Sequence, residues 1–223
     1  MALKQALTSA YGRYLSFSNK LDRINRRPPF HEFVQQNRGA AITPSRADIW
    51  KFVLSQTPDD IDYLEFGVYE GVSILNFARA NTSPNSKFYG FDTFSGLPEE
   101  WREHRSGHFD TQGLIPKTED SRVTFLAGMF QDTLPKFLAG FAPKNRVVVN
   151  IDCDLYSSAL YCLTRLDPLL PAGTIIIFDE YIGNLHWEED EHKAFMESID
   201  QYHWNYEYLF YSAYTKQAVV KIF

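Results

Sequence analysis

Only two cysteines, Cys153 and Cys162, occur in the 223 residues, and they have neither CxxC spacing nor neighbouring histidines. Zinc and redox sites therefore have little support, and both residues read as buried thiols. No apolar stretch approaches the ~20 residues that a bilayer span requires. The segment from Met1 to Phe17 is interrupted by Lys4, Gln5, Arg13 and several hydroxyl residues, where a signal peptide needs an unbroken apolar run. A cytoplasmic location without a membrane partner is the expectation. Positive charge is not in excess: 22 basic residues stand against 28 acidic ones, a formal net charge of −6, so no general field attracts nucleic acid. An internal repeat, a Gly/Ser linker and the dinucleotide fingerprint GxGxxG are also missing.

What remains is the composition of a globular protein, with 44% hydrophobic and 22% charged residues. Its length corresponds to one decorated domain at ~150 residues per domain. Residues 1–27 read as a helix with Leu3, Leu7, Tyr11, Tyr14, Leu15 and Leu21 on one face, broken by Arg26-Arg27-Pro28-Pro29. A second helix is expected from Ser45, with Asp48 in the place of a capping-box acid. Residues 1–58 are thus read as a helical appendage, a lid or dimer contact, and residues 59–223 as a catalytic domain. A homodimer or higher homo-oligomer is expected.

From residue 61 strand-like runs alternate with helical ones. Strands are expected at 62–66, 88–91, 123–127, 147–151, 174–178, 206–211 and 218–223, with helices at 72–80, 131–138, 157–170 and 188–202. Such alternation implies βαβ units and a doubly wound, mostly parallel α/β sheet of seven strands. The last two runs are joined by Ser212 to Lys216 alone, too short for a parallel crossover. The C-terminal strand should therefore run antiparallel, at the end of the sheet.

Ligands of such sheets collect at the carboxyl ends of the strands. Glu65-Phe66-Gly67-Val68-Tyr69-Glu70-Gly71 closes the first strand, and its two glycines allow a tight turn and the close approach of a ligand to a helix N-terminus. Asp92 closes the second strand, where a carboxylate can accept both hydroxyls of a ribose. Asp152-Cys153-Asp154 and Asp179-Glu180 end the fourth and fifth. Carboxylates so crowded call for a cation or a proton, so Asp152, Asp179 and Glu180 are candidate ligands of a hard divalent ion such as Mg²⁺. Asp154 is a candidate general base. The irregular stretch 93–120, with Trp101, His104, His108 and Phe109, is expected to help cover the ligands. Trp187 and His192 are close enough to the acid pair in sequence to stand near an acceptor.

These motifs, Glu65 to Ile74, "FYGFDTFSGLPEEW" (Phe88 to Trp101), "GMFQDTLP" (Gly128 to Pro135), "IDCDLYSS" (Ile151 to Ser158) and "GTIIIFDEY" (Gly173 to Tyr181), occur in the order found in class I S-adenosylmethionine-dependent methyltransferases. More narrowly, the chain resembles the macrocin O-methyltransferase-like family over residues 60–223. The resemblance implies the Rossmann-like methyltransferase fold and O-methylation of a small hydroxylated acceptor such as a natural-product sugar. It assigns the methionine end of S-adenosyl-L-methionine to Glu65, Gly67, Gly71 and Ser73, and the ribose to Asp92. The adenine falls to the turn of Gly128, Phe130 and Gln131. It makes Asp152 a cofactor contact and, with Asp179 and Glu180, an Mg²⁺ ligand, and it makes Asp154 the base. The family's acid pair is Asp-Asp, whereas this chain has Asp-Glu. A metal-independent methyltransferase is therefore the first alternative. A nicotinamide-dependent oxidoreductase and a non-catalytic cofactor-binding module are the others.

Overall fold

Runs such as Val147-Val148-Val149 and Ile175-Ile176-Ile177 carry apolar side chains on successive positions, so both faces of their strands need covering. The computed structural model describes residues 28–42, 46–57, 60–212 and 215–223, and it meets that requirement with helices on both sides of one sheet. In chain order the elements are α1 (Pro28–Gln36), β1 (Ala41–Ile42), α2 (Arg46–Gln56), β2 (Ile61–Phe66), α3 (Val72–Ala80), β3 (Lys87–Asp92) and β4 (Val123–Ala127). They continue with α4 (Phe130–Leu138), β5 (Arg146–Ile151), α5 (Tyr156–Leu166), β6 (Ile175–Phe178), α6 (Glu191–Tyr202), β7 (Tyr206–Tyr211) and β8 (Ala218–Ile222). The helix expected over residues 1–27 lies outside the described residues.

Strand parity divides the core. Leu64, Phe66, Val147, Val149, Ile151, Ile176 and Phe178 face a layer built from α1, α4, α5 and α6. Ile61, Tyr63, Val148, Ile175 and Ile177 face α2 and α3. Residues 28–57, read from sequence as part of an appendage, thus contribute Phe30, Phe33, Ile49 and Val53 to the same core as the sheet.

The strand order is β1-β7-β8-β6-β5-β2-β3-β4. The seven expected strands are all present, and the two-residue β1 adds an eighth, parallel to β7 at the edge. β8 is antiparallel to both β6 and β7, so the reversed strand is the C-terminal one, as expected. Its place is not: it lies between β6 and β7 rather than at the end of the sheet. The crossover through α6 carries the chain two strand positions beyond β6, and the short hairpin turn then folds β8 back into the gap. The helix expected at 157–170 ends at Leu166 and continues as a 3₁₀ turn, Asp167–Leu169, because Pro168 cannot donate the next helical hydrogen bond.

From β2 the chain first moves outward through β3 and β4, then returns to place β5 on the other side of β2. The topological switch point lies between β2 and β5, where a crevice opens beyond the strand ends. Phe33, at the centre of four edge-on ring contacts with Tyr181, Trp187, Tyr208 and Tyr211, secures α1 against β7 and the segment after β6. Truncating it as Phe33→Ala should cost about 3–5 kcal/mol in chemical denaturation. A loss below about 1 kcal/mol would show that α1 is peripheral to the core.

Candidate active site

The two glycines of the first turn are required by different neighbours. Gly67 has φ +92°, and a Cβ there would stand 1.7 Å from the backbone oxygen of Asp152 at the end of β5. Gly71, at φ +79°, precedes α3, and its Cβ would meet the ring of Pro116 at 2.8 Å. Gly71 offers no side-chain cap to the helix, so the first amides of α3 present the partial positive charge that attracts an anionic group.

Glu65 lies under this turn rather than in it. It is fully buried and accepts hydrogen bonds from Tyr63 Oη (2.5 Å), Ser73 Oγ (2.6 Å) and Asn150 Nδ2 (3.2 Å). The backbone of Ile74 in the first turn of α3 also donates to it. Burial raises its carboxyl to about 7 against the pull of these donors. Glu65 therefore does not line the cavity as the family resemblance implied. It fixes the helix start and the Ser73 side chain, which does line it.

Asp92 ties the turns after β2 and β3 together. Its Oδ2 accepts the amides of Val68 (2.7 Å) and Tyr69 (2.8 Å), and its Oδ1 accepts that of Phe94 (2.7 Å). Three of its roughly four acceptor positions are thus occupied from within the loop, leaving one for a ligand hydroxyl. Gly128 donates its amide to the Asp92 backbone oxygen (2.9 Å) and supports the wall from outside, whereas Met129, Phe130 and Gln131 line the cavity.

That cavity, about 510 Å³, also takes in Gly67, Asp92, Asp152, Asp154, Asp179 and Glu180. Stretch 93–120 closes one side, with Trp101, His104 and Phe109 in the wall and an aromatic stack running Trp101, His104, His108 at centroid spacings of 5.4 and 4.1 Å. An ion pair from Arg102 to Asp190 holds the stretch against the start of α6. Trp187 and His192 do not line the cavity. They pack edge-on, 4.5 Å apart, and burial lowers His192 to about 4, which makes it a neutral packing group.

Asp154 has φ +62°, unusual for a residue with a Cβ, across a tight Leu155 N–H to Cys153 C=O contact of 2.6 Å. Burial, helped by Glu180 and Asp179 and opposed by Arg102 and Lys216, raises it to about 8. Burial and the charges of Asp179, Glu65, Asp154 and Glu191 also raise Asp152 well above the usual carboxyl range. Seven carboxylates against three cationic side chains line the cavity, a balance that favours a cationic ligand.

S-adenosylmethionine, with its sulfonium and ammonium charges and its carboxylate, fits this distribution: free helix amides at one end, a hydroxyl acceptor on Asp92, and acids around the centre. Mg²⁺ does not fit the side chains as they stand. Asp179 accepts from Arg46 (2.7 Å) and Gln217 (2.5 Å), and Glu180 takes Lys216 on both oxygens (2.9 and 2.8 Å). Among the described residues no group of three acids, histidines or cysteines is placed so that it could hold a metal ion. Sequence reasoning missed Arg46, Lys216 and Gln217, because nothing in their local motifs marks them.

The buried Glu65 gives stability a definite pH dependence. The folded chain keeps this proton up to about pH 7, whereas the unfolded chain releases it near the ordinary carboxyl value, so stability falls as pH rises between the two. Glu65→Gln should flatten that slope by roughly 3 kcal/mol in urea melts at pH 5 and pH 8. Identical slopes would mean that Glu65 is ionised in the fold.

The sequence profile described as "Methyltransferase domain" matches residues 64–181, from β2 to just beyond β6. A tetracenomycin 4'-O-methyltransferase of Streptomyces olivaceus, named for its dimethoxy-rhamnosyl compound, is 32% identical over 146 residues, covering 54% of this chain and 52% of the relative. Demethyldecarbamoylnovobiocin O-methyltransferase of Streptomyces niveus is 29% identical over 143 residues, covering 54% and 53%. The chain spans about half the length of these curated relatives. Among solved structures, the calicheamicin methyltransferase CalS11 superposes with a TM-score of 0.61 at 21% identity, over 94% of this chain and 92% of that one. The O-methyltransferase NovP superposes at 0.56 and 21%, over 78% of each. The switch-point turn and the strand-end acids fall within or directly around the matched segment, and the chain belongs to this methyltransferase domain family.

Proposed function

We propose that this chain transfers a methyl group from S-adenosylmethionine to a hydroxyl of a small polyhydroxylated acceptor, such as the sugar of a natural product. The observation that carries this reading is one cavity joining the Gly67 turn and Asp92 to the carboxyl group of Asp154. Family membership supports the reaction class, and the rhamnosyl compound in the name of one relative supports the acceptor class. It also weighs against an oxidoreductase.

When bound, S-adenosylmethionine supplies an electrophilic methyl group on a sulfonium. The α3 amides and the Ser73 hydroxyl are placed to hold its methionine end, and Asp92 a ribose hydroxyl. Phe130 and Gln131 border the space left for the base. Asp154 is placed to take the proton of the acceptor hydroxyl, to which the bound sulfonium would give up its methyl group and leave as the neutral thioether. A carboxyl raised toward neutrality by its surroundings is a better proton acceptor than an ordinary one. The cavity wall from Trp101 to Phe109 excludes water and orients the acceptor.

Two variants separate binding from chemistry. Calorimetric titration with S-adenosylhomocysteine should show binding to the wild type that weakens about 10- to 100-fold in Asp92→Ala, the worth of hydrogen bonds to a charged group. No binding to the folded wild type would end this reading. Asp154→Asn should leave that affinity within about twofold while slowing methylation of any accepted hydroxyl by about 100-fold or more. Equal loss of binding and rate would remove Asp154 as the base, and cofactor binding without turnover on any acceptor would favour a binding module.

A further inference from the structure

We infer that the acid pair at the end of β6 takes its counter-charge from the chain itself, Lys216 on Glu180 and Arg46 on Asp179, and that the site needs no bound divalent ion. The use of this charge in methyl transfer rests on the proposed function; the ion pairing does not.

The arrangement is set by strand register. β8 runs against β6 with Ala218 opposite Phe178 and Val219 opposite Ile177. Residues just before Ala218 must then face residues just after Phe178, which sets Gln217 against Asp179 and Lys216 against Glu180. Their side chains complete the match: Gln217 Nε2 donates to Asp179 Oδ1 at 2.5 Å, and Lys216 Nζ reaches both oxygens of Glu180 at 2.9 and 2.8 Å. Arg46, from the start of α2, donates to the remaining oxygen of Asp179 at 2.7 Å. All four carboxylate oxygens of the pair have a protein donor.

Lys216 holds this position in the left-handed region, φ +70°, which a residue with a side chain adopts at a cost of order 1 kcal/mol or more. Its carbonyl accepts the amide of Ile182 at 3.0 Å, so the residue is pinned on both sides of the acid pair.

An ion gains nothing here in net charge. A divalent cation binding Asp179 and Glu180 would bring two positive charges and displace two, those of Arg46 and Lys216. It would also need near-octahedral oxygen ligands at about 2.0–2.1 Å, from a glutamate whose carboxylate is already doubly bonded. Lys216 uses two of its three donors on Glu180 and lines the cavity, leaving one N–H for an acceptor oxygen. An ammonium there stabilises negative charge developing on that oxygen while Asp154 takes its proton.

The test is calorimetric titration of MgCl₂ and MnCl₂ into the full chain, alone and saturated with S-adenosylhomocysteine, for wild type and Lys216→Met. Wild type should give no binding heat at millimolar metal. The variant, with Glu180 released, should bind Mn²⁺ at least about tenfold more tightly than wild type. Submillimolar binding of either metal by wild type overturns the inference, as does a folded variant with no gain in affinity. If Lys216→Met does not fold, Lys216→Gln is titrated instead, and the wild-type result stands by itself. Failure of S-adenosylhomocysteine to bind would count against the proposed function, while the metal titration of the free chain still decides the ion pairing.

Discussion

Two backbones meet at the switch point more closely than any side chain allows. The turn leaving β2 passes over the end of β5 so tightly that the place of a Gly67 Cβ is filled by the carbonyl of Asp152. Main-chain hydrogen bonds fix this approach, with Asp152 N–H donating to Phe66 C=O and Gly67 N–H donating to Phe91 C=O, each at 2.9 Å. Three strands are thereby locked just where they end, and the residues leaving each strand are delivered to one place: the glycine turn from β2, Asp92 from β3, and Asp152 to Asp154 from β5. The distance between the glycine-turn side of the cavity and its acid side is set by this contact rather than by either group of side chains.

Much of that is legible in the sequence because it depends on local pattern. Continuous apolar runs bounded by turn residues give the strands, and their ends give the address of Asp92, Asp152, Asp154, Asp179 and Glu180. The same reasoning misses two things that depend on strand order. Nothing near residues 218–223 says that β8 inserts between β6 and β7, and a two-residue β1 carries no period. The roles of Glu65 and Gly128 are misplaced for a related reason. Parity directs Glu65 away from the crevice, under α3, and Gly128 supports Asp92 from behind, so both act on the site through a neighbour. Lys216 reads locally as a hairpin-turn residue, and its partner 36 residues away becomes visible only when the register of β8 is known.

The supports beneath the site share a physical logic. Asp92 accepts three backbone amides from the turns it joins, and Glu191 accepts those of Asp179 and Glu180 at 3.1 and 3.2 Å. A carboxylate that gathers amides in this way substitutes for regular secondary structure in loops that have none, satisfying donors that would otherwise be buried without a partner. Left-handed Tyr69, Phe94, Asp154 and Lys216 all stand in or beside these loops. Strain of that kind persists only where surrounding bonds over-determine the conformation, and for Tyr69 and Phe94 Asp92 provides those bonds by accepting their own amides.

So many acids remain together because they do not all carry charge at once. Burial and mutual repulsion raise Asp152, Asp154, Glu191 and, against the pull of Lys216, Glu180, so near neutral pH part of the cluster holds protons instead. Arg46 and Lys216 neutralise Asp179 and Glu180, the two acids with direct cationic partners here. The cluster thus holds an ion-paired couple, Asp179 and Glu180, beside Asp152, Asp154 and Glu191, which burial keeps closer to their protonated form. Of the latter, Asp152 and Asp154 line the cavity, and Asp154 stands on a strained turn. Asp179 and Glu180 add to the upward push on Asp154, and Arg102 and Lys216 oppose it. Arg46 from α2 and Lys216 from the turn before the reversed strand thus bring positive charge to the end of β6 from elements far apart in sequence.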